Sequence, residues 1–129
     1  MSQPGMRMHY TAQGVIPRYR FVKFGTADKT VSLAVDASAT IIGVSHDINL
    51  DDGERGDIVR DDFPEIEYGD NVTRGDYLTA DAQGRAIPVT LPTAGQTVHY
   101  GAIAEVSGVV GDICQTWLEP GILTRPAAA

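Results

Sequence analysis

Apolar and polar positions alternate with a period of two along most of the chain, in short windows closed by glycine, proline or aspartate. The clearest run is Val98, Tyr100, Ala102, Ala104 and Val106, which predicts a strand with one buried face. Val31, Leu33 and Val35 alternate with Thr30, Ser32 and Ala34 in the same way, between Asp28 and Asp36. Glu65-Ile66-Glu67-Tyr68 predicts a strand with its carboxylates outward and Ile66 and Tyr68 inward, and Pro64 marks a strand start or a sheet edge. Tyr19 and Phe21 alternate with Arg18 and Arg20, after which the apolar phase moves to Val22 and Phe24, as a bulge near Phe21 would cause. Ile41 to Val44 is a short, mostly apolar β segment, and Asp112 to Leu118 has no clean single polar face, as expected if both sides are partly covered. No window carries three turns of helical spacing, and β-branched residues fill the windows. The expectation is an all-β protein, a small β-barrel or β-sandwich of short antiparallel strands with an extended N-terminal arm.

Turn chemistry organises the centre of this pattern. From Tyr68 to Ile87 the chain reads turn, strand, turn, strand, with Gly69-Asp70, Gly75-Asp76 and Asp81-x-x-Gly84 as punctuation. Asp81 can accept hydrogen bonds from the backbone of its own turn and Gly84 can take positive φ, so Tyr77–Ala80 and Arg85–Val89 are predicted hairpin partners. Residues 1–14 show no sustained periodicity, and Pro4, Gly5 and Gly14 interrupt any regular element. They are expected to form an N-terminal arm, residues 15–120 a single β domain, and residues 121–129, with Pro126 and the terminal alanines, a fraying tail. Met6, Met8 and Tyr10 alternate within the arm, a set suited to a strand face or to contacts with a partner.

Charge sharpens the division. The formal net charge is −7, yet the first 27 residues carry Arg7, Arg18, Arg20 and Lys23 and no acid. Such asymmetry marks either an interaction arm or a flexible terminus. Residues 47–70 hold ten carboxylates against Arg55 and Arg60. An acidic chain is a poor partner for a phosphate backbone, so nucleic acid is not expected. No apolar run is long enough to cross a bilayer and the N-terminus lacks the apolar segment of a secretory signal, so no membrane partner is expected. The single cysteine, Cys114, excludes an internal disulfide framework and suits synthesis in the cytosol.

The candidate chemical motifs fail on their own geometry. Asp47-x-Asn49-x-Asp51 opens like a calcium loop, but Asp52 stands where glycine should turn the chain and Ile58 where a bidentate glutamate belongs. Ser45-His46-Asp47 has the residue types of a hydrolytic triad, yet neighbours on a strand point to opposite faces. Arg55-Gly56-Asp57 and Arg74-Gly75-Asp76 are short enough to arise as ordinary Gly-Asp turns. His9, His46 and His99 lack metal-ligand spacing, and no phosphate loop or dinucleotide fingerprint is present. Neither a cofactor nor an enzymatic activity is expected.

From Ile41 to Leu118 the chain resembles the capsid cement, or head decoration, proteins of tailed bacteriophages. The resemblance rests on Ile42-Gly43-Val44, Gly56-Asp57-Ile58-Val59, and the run Tyr68-Gly69-Asp70-x-Val72-x-x-Gly75-Asp76-x-Leu78-x-x-Asp81-x-x-Gly84-Arg85-Ala86. It closes with Gly101-x-Ile103-Ala104 and Gly111-Asp112-Ile113. The resemblance implies a non-enzymatic virion protein without cofactor. It would be made in the host cytoplasm and sit on the outer surface of the expanded head, commonly as a homotrimer against the major capsid protein. Family members often reach onto the shell with an N-terminal segment, a role that Met6, Arg7, Met8, Tyr10, Arg18 and Arg20 would fill here. The dense acidic block and the longer Met-bearing arm depart from plainer members. The alternatives are a small β-barrel ligand-binding module or hydrolase, with His46, His99 and carboxylates around one pocket, and a tail or neck component.

Overall fold

The structure, a computed structural model, describes residues 7–90 and 95–124. Ten strands and no helix are found among them. Five strands, β1 (Arg7–Ala12), β2 (Phe21–Phe24), β3 (Thr30–Leu33), β4 (Gly43–Ser45) and β5 (Arg55–Val59), close a barrel in the order β1-β3-β2-β4-β5. The other five, β6 (Glu65–Glu67), β7 (Tyr77–Ala80), β8 (Ala86–Pro88), β9 (Thr97–Ala104) and β10 (Ile113–Thr124), form a sheet in the order β6-β10-β9-β7-β8. The all-β expectation holds, with barrel and sheet both present. Pairing is antiparallel except for β1 and β3, which run parallel and leave the barrel with no open edge.

Two boundaries differ from the sequence reading. The arm expected over residues 1–14 is, from Arg7 onward, the barrel strand β1, paired with β5 from Arg7↔Val59 to Thr11↔Arg55. Met8, Tyr10 and Ala12 do alternate as a strand face, and that face is turned into the barrel: Tyr10 and Ala12 are buried and Met8 packs against the same cluster. The tail expected over residues 121–129 is, as far as Thr124, the end of β10, which pairs with β9 up to Thr124↔Thr97, and residues 125–129 lie outside the described residues. Pro120, which has no N–H to give to a ladder, sits inside a register shift between Leu118 and Gly121 instead of ending the strand.

The barrel wall shared with the sheet explains the phase slip near Phe21. Phe21 is fully buried in a core formed with Ile66, Tyr68, Leu78, Ala102 and Leu118 of the sheet side, whereas its neighbour Val22 is buried in the barrel's own core with Tyr10, Ile16, Val31 and Ile58. Ile41 and Ile42 divide between the two cores in the same way. A strand with apolar layers on both faces needs no polar phase. Tyr19, at φ 59, turns the chain into β2, so the change comes from a turn before the strand and not from a bulge within it. At Gly101 a Cβ would press on Ile41 Cγ2 at 2.7 Å and on Phe21 Cε1 at 2.8 Å, so the missing side chain lets β9 lie close on the barrel wall.

The central hairpin is built as its turn residues predict. β7 and β8 pair antiparallel from Leu78↔Pro88 to Ala80↔Ala86. Asp81 Oδ1 accepts from the N–H of Gln83 and of Arg85, both at 2.9 Å, and Gly84 takes φ 77. Its buried positions are Leu78, Thr79, Ala80, Gly84 and Ala86, and Ile87 is only half-buried.

Candidate functional site

Of the six residues expected to reach a partner, the fold spends three internally. Tyr10 is 6 % exposed, and its hydroxyl accepts a hydrogen bond from Arg60 Nη1 at 3.0 Å. A ring held inside the barrel cannot grip another surface, so Tyr10 belongs to the core. Met8 is half-buried against that core. Arg20 is a brace between barrel and sheet: Nη1 donates to Gln83 O at 2.8 Å in the β7–β8 turn, and Nη2 meets Glu67 Oε1 at 3.2 Å on β6. Arg18 is exposed, with its guanidinium 5.7 Å from the centre of the Tyr19 ring, and its backbone N–H donates to Asn49 Oδ1. Arg7 belongs to β1 through its backbone pairing with Val59. Met6 lies outside the described residues. From Arg7 onward the basic, acid-free front is therefore part of the barrel and its brace to the sheet. The sequence signal for this, apolar residues at 8, 10 and 12, is shared by strands that pair within the chain and by strands that pair with a partner.

The triad-like run comes apart. Ser45 is buried, and its Oγ accepts from Arg20 N–H at 2.9 Å while donating to Pro17 O at 2.7 Å, so the hydroxyl anchors the turn before β2. His46 Nε2 lies 3.8 Å from Asp47 Oδ1, and the Ser45 hydroxyl gives its proton to Pro17 O. His46 lines a cleft of about 380 Å³ with Tyr19, Asp61, Asp62, Phe63 and Glu65, and His99 lines a different one of about 230 Å³ with Thr40, Tyr100 and Ile122. The two histidines are not brought to one pocket. His9 pairs across β1 and β5 with Asp57 Oδ1 at 2.9 Å, which uses the aspartate of Arg55-Gly56-Asp57 in the barrel wall. Asp76 of Arg74-Gly75-Asp76 caps its own turn, accepting from Thr73 N–H at 2.9 Å. Among the described residues no three His, Cys, Asp or Glu side chains meet in a group able to hold a metal.

Perturbed ionisation marks packing in this fold. Burial, together with Cys114 close by, pushes the Tyr68 phenol far above its ordinary value; its hydroxyl donates to Val106 O at 2.7 Å. Burial and the nearby Asp112 carboxylate raise the Cys114 thiol. Hydrogen bonds from the Ser38 side chain and backbone lower the Asp36 carboxyl.

The family model of phage cement proteins matches residues 2–115. The chain belongs to the phage cement protein family. It is therefore a structural component of the phage virion. Comparison with curated proteins finds no match. The cement protein's fold is similar to that in the crystal structure of the head fiber gp8.5 N base of bacteriophage phi29, with a TM-score of 0.67 at 15 % identity. That likeness covers 88 % of this chain and 93 % of the other, and at such identity it concerns the fold alone. A family of structural virion proteins points to a non-enzymatic role.

Proposed function

We propose that this protein decorates the outer surface of the expanded phage head, where it binds the major capsid protein as a homotrimer and ties neighbouring capsomers together. Membership of the cement family across residues 2–115 carries this reading. The architecture supports it: a closed barrel fused to a sheet through a common core gives a stiff body, and a cement subunit needs stiffness and several contact points more than a pocket. It would be made in the host cytoplasm and join the head there.

Within the basic front, Met6, Arg7 and Arg18 remain as capsid contacts, because Met8, Tyr10 and Arg20 serve the fold. A cationic rim would steer the subunit toward acidic loops of the shell and fix its register. Purified protein mixed with undecorated heads and imaged, with its solution mass measured in parallel, tests the proposal. Knobs at threefold and quasi-threefold positions and a mass of three 13.8 kDa chains are expected. Absence of binding to heads, or attachment at the tail or neck alone, would sink it. For the front contacts, Arg7→Glu with Arg18→Glu should weaken head binding; unchanged binding would remove them from the interface.

A further inference from the structure

Asp112 to Leu118 lacks a clean single polar face in the sequence, as expected of a strand partly covered on both sides, and among the described residues one side is closed and the other only partly covered. Thr116 and Leu118 are buried against the core, and Cys114 packs beside them. The opposite face of β10 is the partly covered one: Ile113 is 39 % exposed and Trp117, the chain's one tryptophan, 43 %. The strand register extends this face into a row. Trp117 lies opposite Ile103 on β9, and Ile103 lies opposite Tyr77 on β7, which is 41 % exposed. Tyr100 joins the row edge-on to Tyr77, with ring centres 4.8 Å apart. Partly exposed aromatic side chains fixed on a rigid sheet are the residue types that anchor interfaces.

Charge selects the occupant. No Lys or Arg occurs in any of the five strands of this sheet, whose charged residues are Glu65, Glu67 and Glu119. Glu105, exposed just beyond β9, and Glu119, exposed two positions after Trp117, flank the aromatic row, and Glu65 lies opposite Gln115 on the next strand. Arg74, exposed in the turn before β7, is a cation near Glu105, but the rim's balance is acidic, so two such faces packed against each other would set mostly carboxylate against carboxylate, and an anionic lipid or nucleic-acid surface would be disfavoured in the same way. A protein patch with an apolar centre and a rim of lysine or arginine is complementary in both respects.

We propose that the outer face of the β6-β10-β9-β7-β8 sheet, centred on Trp117, Ile103 and Tyr77, is the surface that docks on such a basic-rimmed apolar patch of the head's shell protein. The proposal rests on the head-binding reading above and names a second contact face beside the basic front. Trp117→Ala and, separately, Glu105→Lys together with Glu119→Lys are compared with wild type for affinity to undecorated heads, with melting curves to verify folding. Trp117→Ala should weaken binding by about tenfold or more, the scale of a central aromatic anchor. The charge reversal should weaken it several-fold and leave it less sensitive to salt. Phe24→Ala, an exposed aromatic on the barrel, should bind as wild type does. Folded variants of both kinds that bind heads at wild-type strength would overturn the proposal. So would a Trp117→Ala protein that loses self-association yet keeps head binding, since the face would then join copies of this chain. Failure of the wild type itself to bind heads would instead remove the head-binding reading.

Discussion

Single residues carry much of this fold's definition where a side chain would collide or a hydroxyl would be orphaned. Gly84 combines φ 77 with Leu33 Cγ only 3.0 Å from where a Cβ would stand, so Gly84→Ala adds a clash to backbone strain. We expect a loss of about 1–3 kcal/mol by denaturant unfolding. Gly53→Ala, at φ 86 with open space around it, should cost only about 1 kcal/mol; equal losses at the two sites would show that the Leu33 contact does not matter. Tyr68→Phe leaves Val106 O without its donor and should cost about 1–2 kcal/mol at neutral pH. Its pH signature is specific. The unfolded phenol ionises near 10.0 and burial raises the folded value, so the folded state keeps a proton that the unfolded state loses. The stabilisation is full below that pH and declines as pH rises above it. Cys114, raised from 9.0, acts in the same direction from a lower starting point. Unfolding free energy should therefore fall in alkali and fall less steeply in Tyr68→Phe; identical alkaline slopes would contradict this. The turn chemistry of Asp81 and Gly84 was legible from sequence because both act through their own backbone. The partners of Tyr10, Ser45 and Arg20 were not, since they lie 25 to 63 residues away along the chain.

Among the elements, β1 changes most between sequence and structure. Its ladder to β5 and its parallel pair with β3 close the barrel, so removing residues 1–14 would open two edges and strip Tyr10 and Ala12 from the core. Such a truncation should abolish the cooperative transition, and Tyr10→Ala alone should cost about 3–5 kcal/mol. Arg18→Ala should change stability by less than about 0.5 kcal/mol, because its side chain is exposed. A truncated protein that still melted cooperatively would show that β1 is dispensable. Alternation at Met6, Met8 and Tyr10 is visible in the sequence, but alternation fixes only that one face meets something apolar. Whether that surface belongs to the same chain depends on pairing across about 45 intervening residues. β10 shows the converse: its mixed pattern is readable as two partly covered faces, and among the described residues one is closed while the other leaves Ile113 and Trp117 partly exposed.

For the whole molecule, the decisive feature is that the barrel and the sheet share a core. Phe21, Ile41 and Val44 come from the barrel side and pack with Ile66, Leu78, Ala102 and Leu118. The two parts should therefore unfold together, with Trp117 fluorescence in the sheet and far-ultraviolet circular dichroism over all strands tracing coincident curves. Phe21→Ala should lower stability by about 3–5 kcal/mol and is the substitution best placed to separate the two curves. Separate transitions in the wild type would mean that the shared core does not couple the parts.

The sequence by itself determined what is local or periodic: strand character throughout, the Tyr77–Ala80 hairpin with its Asp81 and Gly84 turn, the inward Ile66 and Tyr68, and the motif spacing of the cement family. These follow from backbone preferences and a period of two, which need no knowledge of distant chain. Tertiary structure alone decided that the basic front begins a barrel strand, that β2 and Ile41–Ile42 serve two cores, and that Trp117 is left open beside glutamates. Each of these depends on which distant segment covers a given face, and burial of that kind is settled only when the chain has closed on itself.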